Sequence, residues 1–305
     1  MTGCRTSGPG PVPLLLLSMI PWACARQDNP ETNMLKNQVE ALVANSGGDV
    51  ALYYEDLGDG DSLLLHPDER MHAASTMKVP VMIQLFADRE AGLLDLDETL
   101  TVKTTFSSIV DGSPYSLSPD SDSENTLYLD EGQEVSYRHL IELMITVSSN
   151  LATNILIETA GADRVTSSMR TLGADSIMVL RGVEDGPAFQ AGLSNTTTAR
   201  DLGIIMAGLG RGEVVSPTAS VEMLEIMSRQ QWRTKIPAGL PEGVRVAHKT
   251  GRITGISHDA GVVLPSEAPP YSLVILTRGF QDPDQADGVA AEISRIIFDY
   301  HTRKY

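Results

Sequence analysis

The chain has 305 residues, 42% hydrophobic and 21% charged, which is ample material for the core of one large domain or two small ones. It carries 23 basic against 40 acidic residues, a formal net charge of −17, and a surface of that sign repels nucleic acid and anionic membranes. Residues 1–25 read as an export signal: Arg5 is the one charge ahead of an apolar run from Pro13 to Trp22, and Ala23-Cys24-Ala25 is a small-x-small cleavage site. The run is too short to span a bilayer. Cutting after Ala25 removes Cys4 and Cys24, the only cysteines, so disulfides are impossible and packing must supply the stability. A competing reading makes Cys24 a lipidated N-terminus, the one route to a membrane, but Pro21 and Trp22 are poor residues ahead of a lipoprotein cysteine.

The spacing of Met34, Leu35, Val39, Leu42 and Val43 predicts a helix over 31–44, ended by Gly47-Gly48. Two antiparallel strands over 50–54 and 62–65 then flank the turn Gly58-Asp59-Gly60-Asp61. Ser75-Thr76-Met77-Lys78 follows, opening a helix whose apolar residues (Val79, Val81, Met82, Leu85, Phe86) recur at core-facing spacing. A serine and a lysine three apart at a helix start share one face, so the spacing predicts a hydrogen bond between hydroxyl and amine, a nucleophile beside its base. Pro80 predicts a kink or a tight first turn.

From 93 to 125 all period is lost, and the run Ser118-Pro119-Asp120-Ser121-Asp122-Ser123 marks an excursion bordering a cleft. Helical stripes return over 135–146 and 151–161, joined by the polar corner Ser148-Ser149-Asn150. Three more cover 163–172, 199–209 and 218–227, the middle one offered hydroxyl caps by Thr196-Thr197-Thr198. Strands over 244–249, 260–264 and 271–276 and a closing helix over 289–300 complete the chain. Early and late strands bracketing a helical middle predict one mixed sheet with helices on its faces and an inserted helical domain, with a cleft at the junction. The boundaries are 28–93 with 215–305 for the sheet domain and 94–214 for the helical one.

Ser-x-x-Lys at Ser75, Ser-x-Asn at Ser148-Ser149-Asn150 and Lys-Thr-Gly at Lys249-Thr250-Gly251 form a set, expected at a helix start, at a corner between helices and at the end of a strand. In order and context, the sequence resembles the class A β-lactamases and penicillin-binding serine hydrolases over nearly the whole mature chain. Ser123-Glu124-Asn125 fits Ser-x-Asn too, but in a polar loop with no helices beside it, and is set aside. The resemblance implies an α+β fold, an antiparallel sheet flanked by helices with an inserted all-helical domain. It implies that Ser75 is acylated by a cyclic or peptide amide, with Lys78 taking its proton and Ser148 relaying a proton to the leaving nitrogen. Lys249 and Thr250 would hold the substrate carboxylate on the strand edge, with Gly251 and Arg252 beside them as substrate-binding residues. Asn150 would bind the side-chain amide, and the backbone N–H groups of Ser75 and Arg252 would form the oxyanion hole.

Two departures stand out. Ser149 replaces the aspartate usual in class A, and the Glu-x-x-Leu-Asn string that carries the deacylating carboxylate is missing. Glu184, in Arg181-Gly182-Val183-Glu184-Asp185, is the nearest candidate, with a solvated turn residue as the rival reading. The implied function is an exported, periplasmic or extracellular serine β-lactamase; the alternatives are a D,D-peptidase or related amidase, and an acylated β-lactam sensor without turnover. The substrate would be a β-lactam or cell-wall peptide, with no nucleic acid partner, and a monomer is expected. The six histidines (His66, His72, His139, His248, His258, His301) show no ligand spacing, so neither metal nor cofactor is expected, and polar residues at the strand end such as His258 are expected to face solvent.

Overall fold

The computed structural model describes residues 1–3 and 30–305; the rest of the stretch read as an export signal, with both cysteines and the expected cleavage site, lies outside the described residues. In chain order the main elements are helix α1 (Pro30–Ala44), strands β1 (Asp49–Asp56) and β2 (Ser62–Leu65), and helices α2 (Lys78–Glu90), α3 (Tyr137–Thr146), α4 (Asn150–Ala160) and α5 (Ala162–Thr171). Helices α6 (Ala199–Arg211) and α7 (Pro217–Ser228), strands β3 (Arg245–Ile253), β4 (Ile256–Leu264) and β5 (Tyr271–Arg278), and helix α8 (Pro283–Arg303) follow.

The five strands form one sheet in the order β2-β1-β5-β4-β3, and every pairing in it is antiparallel rather than mixed. Alternation along each strand sorts side chains between two cores. Val50, Leu52 and Tyr54 of β1 face a cluster with Leu35 and Val39 of α1 and Ile293 and Ile297 of α8. Ala51 and Tyr53 face the larger cluster, which holds α2 through α7. On β3 the same alternation puts Val246 with α8 and Ala247 with the helical body, so Lys249, two residues on, is aimed at the helices.

Strands β3 and β4 run longer than the apolar pattern shows, because a hairpin at Thr254-Gly255 lets the ladder continue past Lys249; Gly255 takes the left-handed backbone that such a turn needs, φ 71°. Lys-Thr-Gly therefore lies inside a nine-residue edge strand and not at its end. The aperiodic stretch after α2 holds a short hairpin, Thr105–Ser107 with Pro114–Ser116, and a strand, Thr99–Thr101, that pairs antiparallel with Glu134–Ser136 beyond it, all too short to leave an alternating signal. Capping follows the side-chain chemistry: Ser136, Ser149 and Thr198 accept the N–H groups of His139, Ala152 and Asp201 at the starts of α3, α4 and α6.

Candidate active site

Ser75 lies in a 3₁₀ turn, Ala74–Met77, with α2 beginning only at Lys78; this is the tight first turn that Pro80 predicts. Ala74 is held at φ 46°, a strained value for a residue with a Cβ, and Thr76 ties the turn by donating its hydroxyl to the Ala73 carbonyl at 2.6 Å. The turn is fixed from below by His258, which is fully buried and does not face solvent. Its Nδ1 accepts the Thr277 N–H at 3.0 Å, so Nε2 carries the proton and donates to the His72 carbonyl at 2.9 Å. Burial pushes His258 down to about 4, which keeps this tautomer neutral across the working range. Gly251 presses on the turn from the edge strand, where a Cβ would come within 3.1 Å of both Ser75 N and Ala74 Cβ. Glycine at the third position of Lys-Thr-Gly lets β3 approach the Ser75 backbone closely, where any side chain would be tightly crowded.

Lys78 is fully buried, and its amine does not bond Ser75. It donates to the Ser148 carbonyl at 2.7 Å, to Asn150 Oδ1 at 2.9 Å, and more weakly to Ser148 Oγ and the Ser149 carbonyl, each at 3.3 Å. The Ser148 carbonyl falls in the gap between α3 and α4, outside either helical ladder, and so competes successfully for the amine. The Ser75 hydroxyl is left without a hydrogen-bond partner among the described residues, on a partly buried residue that lines the cleft. Burial brings Lys78 down to about 7, opposed by the charges of Asp122 and Glu184. A lysine at that value supplies a free amine near neutrality. A role for Lys78 as the base of Ser75 acylation predicts a rate that rises with pH and levels off above about 7; a stopped-flow profile that is flat from acid to alkaline pH would exclude that role.

Ser148, at φ 64°, links the two lysines: its Oγ accepts from Lys249 Nζ at 3.0 Å and from Lys78 Nζ at 3.3 Å. With both lone pairs engaged, the hydroxyl proton has to point away from the amines. Burial, reinforced by the neighbouring Lys78 amine, lowers Lys249 well below the ordinary lysine value. Asn150 spans the site, with Oδ1 on Lys78 and Nδ2 donating to Glu184 Oε1 at 3.0 Å, which leaves one amide N–H for a ligand. Arg252 is half-exposed and pairs with Asp287 at the start of α8, a carboxylate that also accepts from Thr234 and Ser257, each at 2.6 Å.

Glu184 is carried by a loop pinned at several points. Asn195 bonds the Leu180 N–H at 2.8 Å and the Arg181 carbonyl at 2.9 Å, and Asp185 accepts from Ser108, Ile109 and Ala188. Asn154 of α4 accepts the Val183 N–H at 2.6 Å and donates to the Val183 carbonyl at 3.0 Å. Gly182 allows that grip, since a Cβ there would sit 2.4 Å from Asn154 Oδ1. The pinning holds Glu184 itself at φ 61°, with its exposed carboxylate reached by Ser121 Oγ at 3.2 Å.

The structure thus gathers Ser75, Lys78, Ser148, Asn150, Glu184 and the Lys249 strand around one cleft of two lobes, about 600 and 490 Å³, which share Ser75, Ser121, Asn150 and Arg252. The stretch expected to border a cleft does line it through Ser121 and Ser123, but the roles of Ser121, Asp122 and Ser123 within the site were not read from the sequence. Although Ser123-Glu124-Asn125 lies in a loop, the corner between α3 and α4 is directly beside it: Ser123 Oγ donates to the carbonyls of Val147 at 2.7 Å and Ser148 at 3.2 Å. Among the described residues no three His, Cys, Asp or Glu side chains gather in a way that could hold a metal ion.

The sequence model of the beta-lactamase enzyme family matches residues 34–301. The chain belongs to that family. This β-lactamase-like hydrolase is 24% identical over 295 residues to the carbapenem-hydrolyzing beta-lactamase KPC of Klebsiella oxytoca, covering 94% of this chain and 96% of that one. It is 27% identical to beta-lactamase AST-1 of Nocardia asteroides, covering 85% and 81%. Among solved structures it is similar to a beta-lactamase from Sphaerobacter thermophilus, with a TM-score of 0.76 at 26% identity over 88% of this chain and 98% of that one. It is also similar to PBP-A, with a TM-score of 0.75 at 28% identity over 88% and 96%, and to a substituted PBP-A in an acyl-enzyme complex with penicillin G at 29% identity over 89% and 97%, with a TM-score of 0.75.

Proposed function

We propose that this β-lactamase-family hydrolase opens the amide of a β-lactam ring through an acyl-Ser75 intermediate, which water activated by Glu184 then hydrolyses. The single observation that carries the reading is Ser148 Oγ bridging the buried amines of Lys78 and Lys249 beside an unpartnered Ser75 hydroxyl. Lys78 takes the Ser75 proton as Oγ attacks the carbonyl carbon, and the Ser148 hydroxyl, recharged from the amines, gives a proton to the departing ring nitrogen. Thr250, Lys249 and Arg252 on the edge strand are the anchor for a substrate carboxylate, and the N–H groups of Ser75 and Arg252 receive the oxyanion.

A D,D-peptidase acting on cell-wall peptide uses the same acylation residues. The observation that favours this second reading is that Glu184 is exposed and held by Ser121 and Asn150, with no hydrogen bond to Lys78 or Ser75. The leader at residues 1–25 supports export to the periplasm or beyond, and among the described residues no helix is long and apolar enough to cross a membrane. Intact-mass spectrometry of the mature protein with benzylpenicillin, run beside an absorbance assay of ring opening, tests the proposal. Ring opening with a short-lived adduct is the expected result; a lasting adduct favours the peptidase or sensor, and no adduct overturns both.

A further inference from the structure

Resting on that reading, we propose that Asp122 is a positioning residue of the reaction, holding Asn150 and through it the Lys78 amine from a loop remote in sequence from all three motifs. The Asp122 carboxylate accepts the N–H of Asn150 through both oxygens at 2.9 Å and the N–H of Leu151 at 2.9 Å. Ser149, the usual kind of cap, covers only the N–H of Ala152, at 3.1 Å, so the first two amides of α4 depend on Asp122. A cap made across the fold fixes the rotation of the first residue of α4, and that residue's side chain is the one placed between Lys78 and Glu184.

The loop that carries Asp122 is built to be stiff. Glu124 folds back to accept the N–H groups of Thr126 at 2.7 Å and Leu127 at 3.1 Å, Leu127 is buried in the core, and Tyr128 donates to Asp122 at 3.0 Å. Its three consecutive polar residues divide the site between them. Ser121 reaches the Glu184 carboxylate, Asp122 the start of α4, and Ser123 the carbonyl of Ser148, which is also the strongest acceptor for Lys78. The charged groups facing Lys78 are Asp122 from this loop, Glu184 from its own loop and Lys249 from β3; Ser148, Ser149 and Asn150 are neutral. Of the two carboxylates, Asp122 does more to keep the proton on Lys78.

The test compares Asp122→Asn, which keeps an acceptor for α4 and removes the charge, with Asp122→Ala, which removes both. Three quantities are followed: the pH profile of acylation by benzylpenicillin, the titration of the Lys78 amine by heteronuclear NMR, and thermal stability. In the alanine variant acylation should fall by about tenfold to a hundredfold. In both variants the acid limb and the Lys78 midpoint should move to lower pH by about half a unit or more, since an opposite charge has left the amine's surroundings. The asparagine variant should melt close to the parent. A midpoint that stays put, with rate falling only as stability falls, reduces Asp122 to a helix cap and overturns the proposal. If the parent protein is not acylated at all, the β-lactam reading fails separately, and the NMR midpoint still decides the role of Asp122.

Discussion

Replacing Ser75 with alanine should abolish covalent labelling by benzylpenicillin and reduce ring opening by on the order of 10³-fold or more. The prediction follows from how little else in the cleft can act as a nucleophile. Ser148 Oγ already accepts from two amines, Ser123 Oγ donates to two carbonyls, and Ser121 Oγ is turned to Glu184. Ser75 alone among them presents an uncommitted hydroxyl, on a turn strained at Ala74 and braced by His258 and Gly251. The substitution removes one oxygen from a partly buried position in the cleft, so thermal melting should be unchanged within a degree or two. Retained labelling of the alanine variant in an intact-mass spectrum would sink the assignment of the nucleophile.

The second large effect concerns release. Glu184→Gln keeps the length of the side chain and an oxygen for Ser121 Oγ and Asn150 Nδ2, and removes the carboxylate that can take a proton from water. Acylation should change little, whereas deacylation should slow by about 10²- to 10⁴-fold, the usual contribution of a general base. The adduct seen by mass should then persist from seconds into hours, and steady-state turnover should fall in proportion. An adduct that clears at the parent rate would show that Glu184 is a solvated loop residue, and would shift the weight to a peptidase whose acyl-enzyme is freed in another way.

The three motifs were legible because each is local. Ser75 and Lys78, Ser148 and Asn150, and Lys249 to Gly251 are set by spacing along one element, and spacing is what a sequence displays. Helix and strand periods located those elements for the same reason, although they stopped the strand of Lys249 four residues short. What spacing could not show was the partner of each side chain. Lys78 turns from Ser75 to the corner carbonyl because α4 docks beside α2, and His258 is drawn inside because its two ring nitrogens match one N–H on β5 and one carbonyl ahead of Ser75. Asp122 was hidden in an aperiodic stretch, and its partners are the N–H groups of Asn150 and Leu151, which have no signature of their own. The one available signal was the density of Ser and Asp over 118–123, which marks a loop with many donors and acceptors to satisfy.

The order of the sheet also governs when the protein can fold. Strand β1 ends at Asp56, yet its central neighbour β5 begins only at Tyr271, and the edge strand that carries Lys249 joins through β4. The sheet cannot close without residues up to 278, so the strands and helices that precede them in the chain cannot complete it on their own. Long-range pairing of this kind is slow, because the loop has to close before the contacts can repay it. Ser75, on a turn wedged against β3, is among the last parts to be set. A chain cut short of β3 lacks both Lys249 and the strand that braces the Ser75 turn.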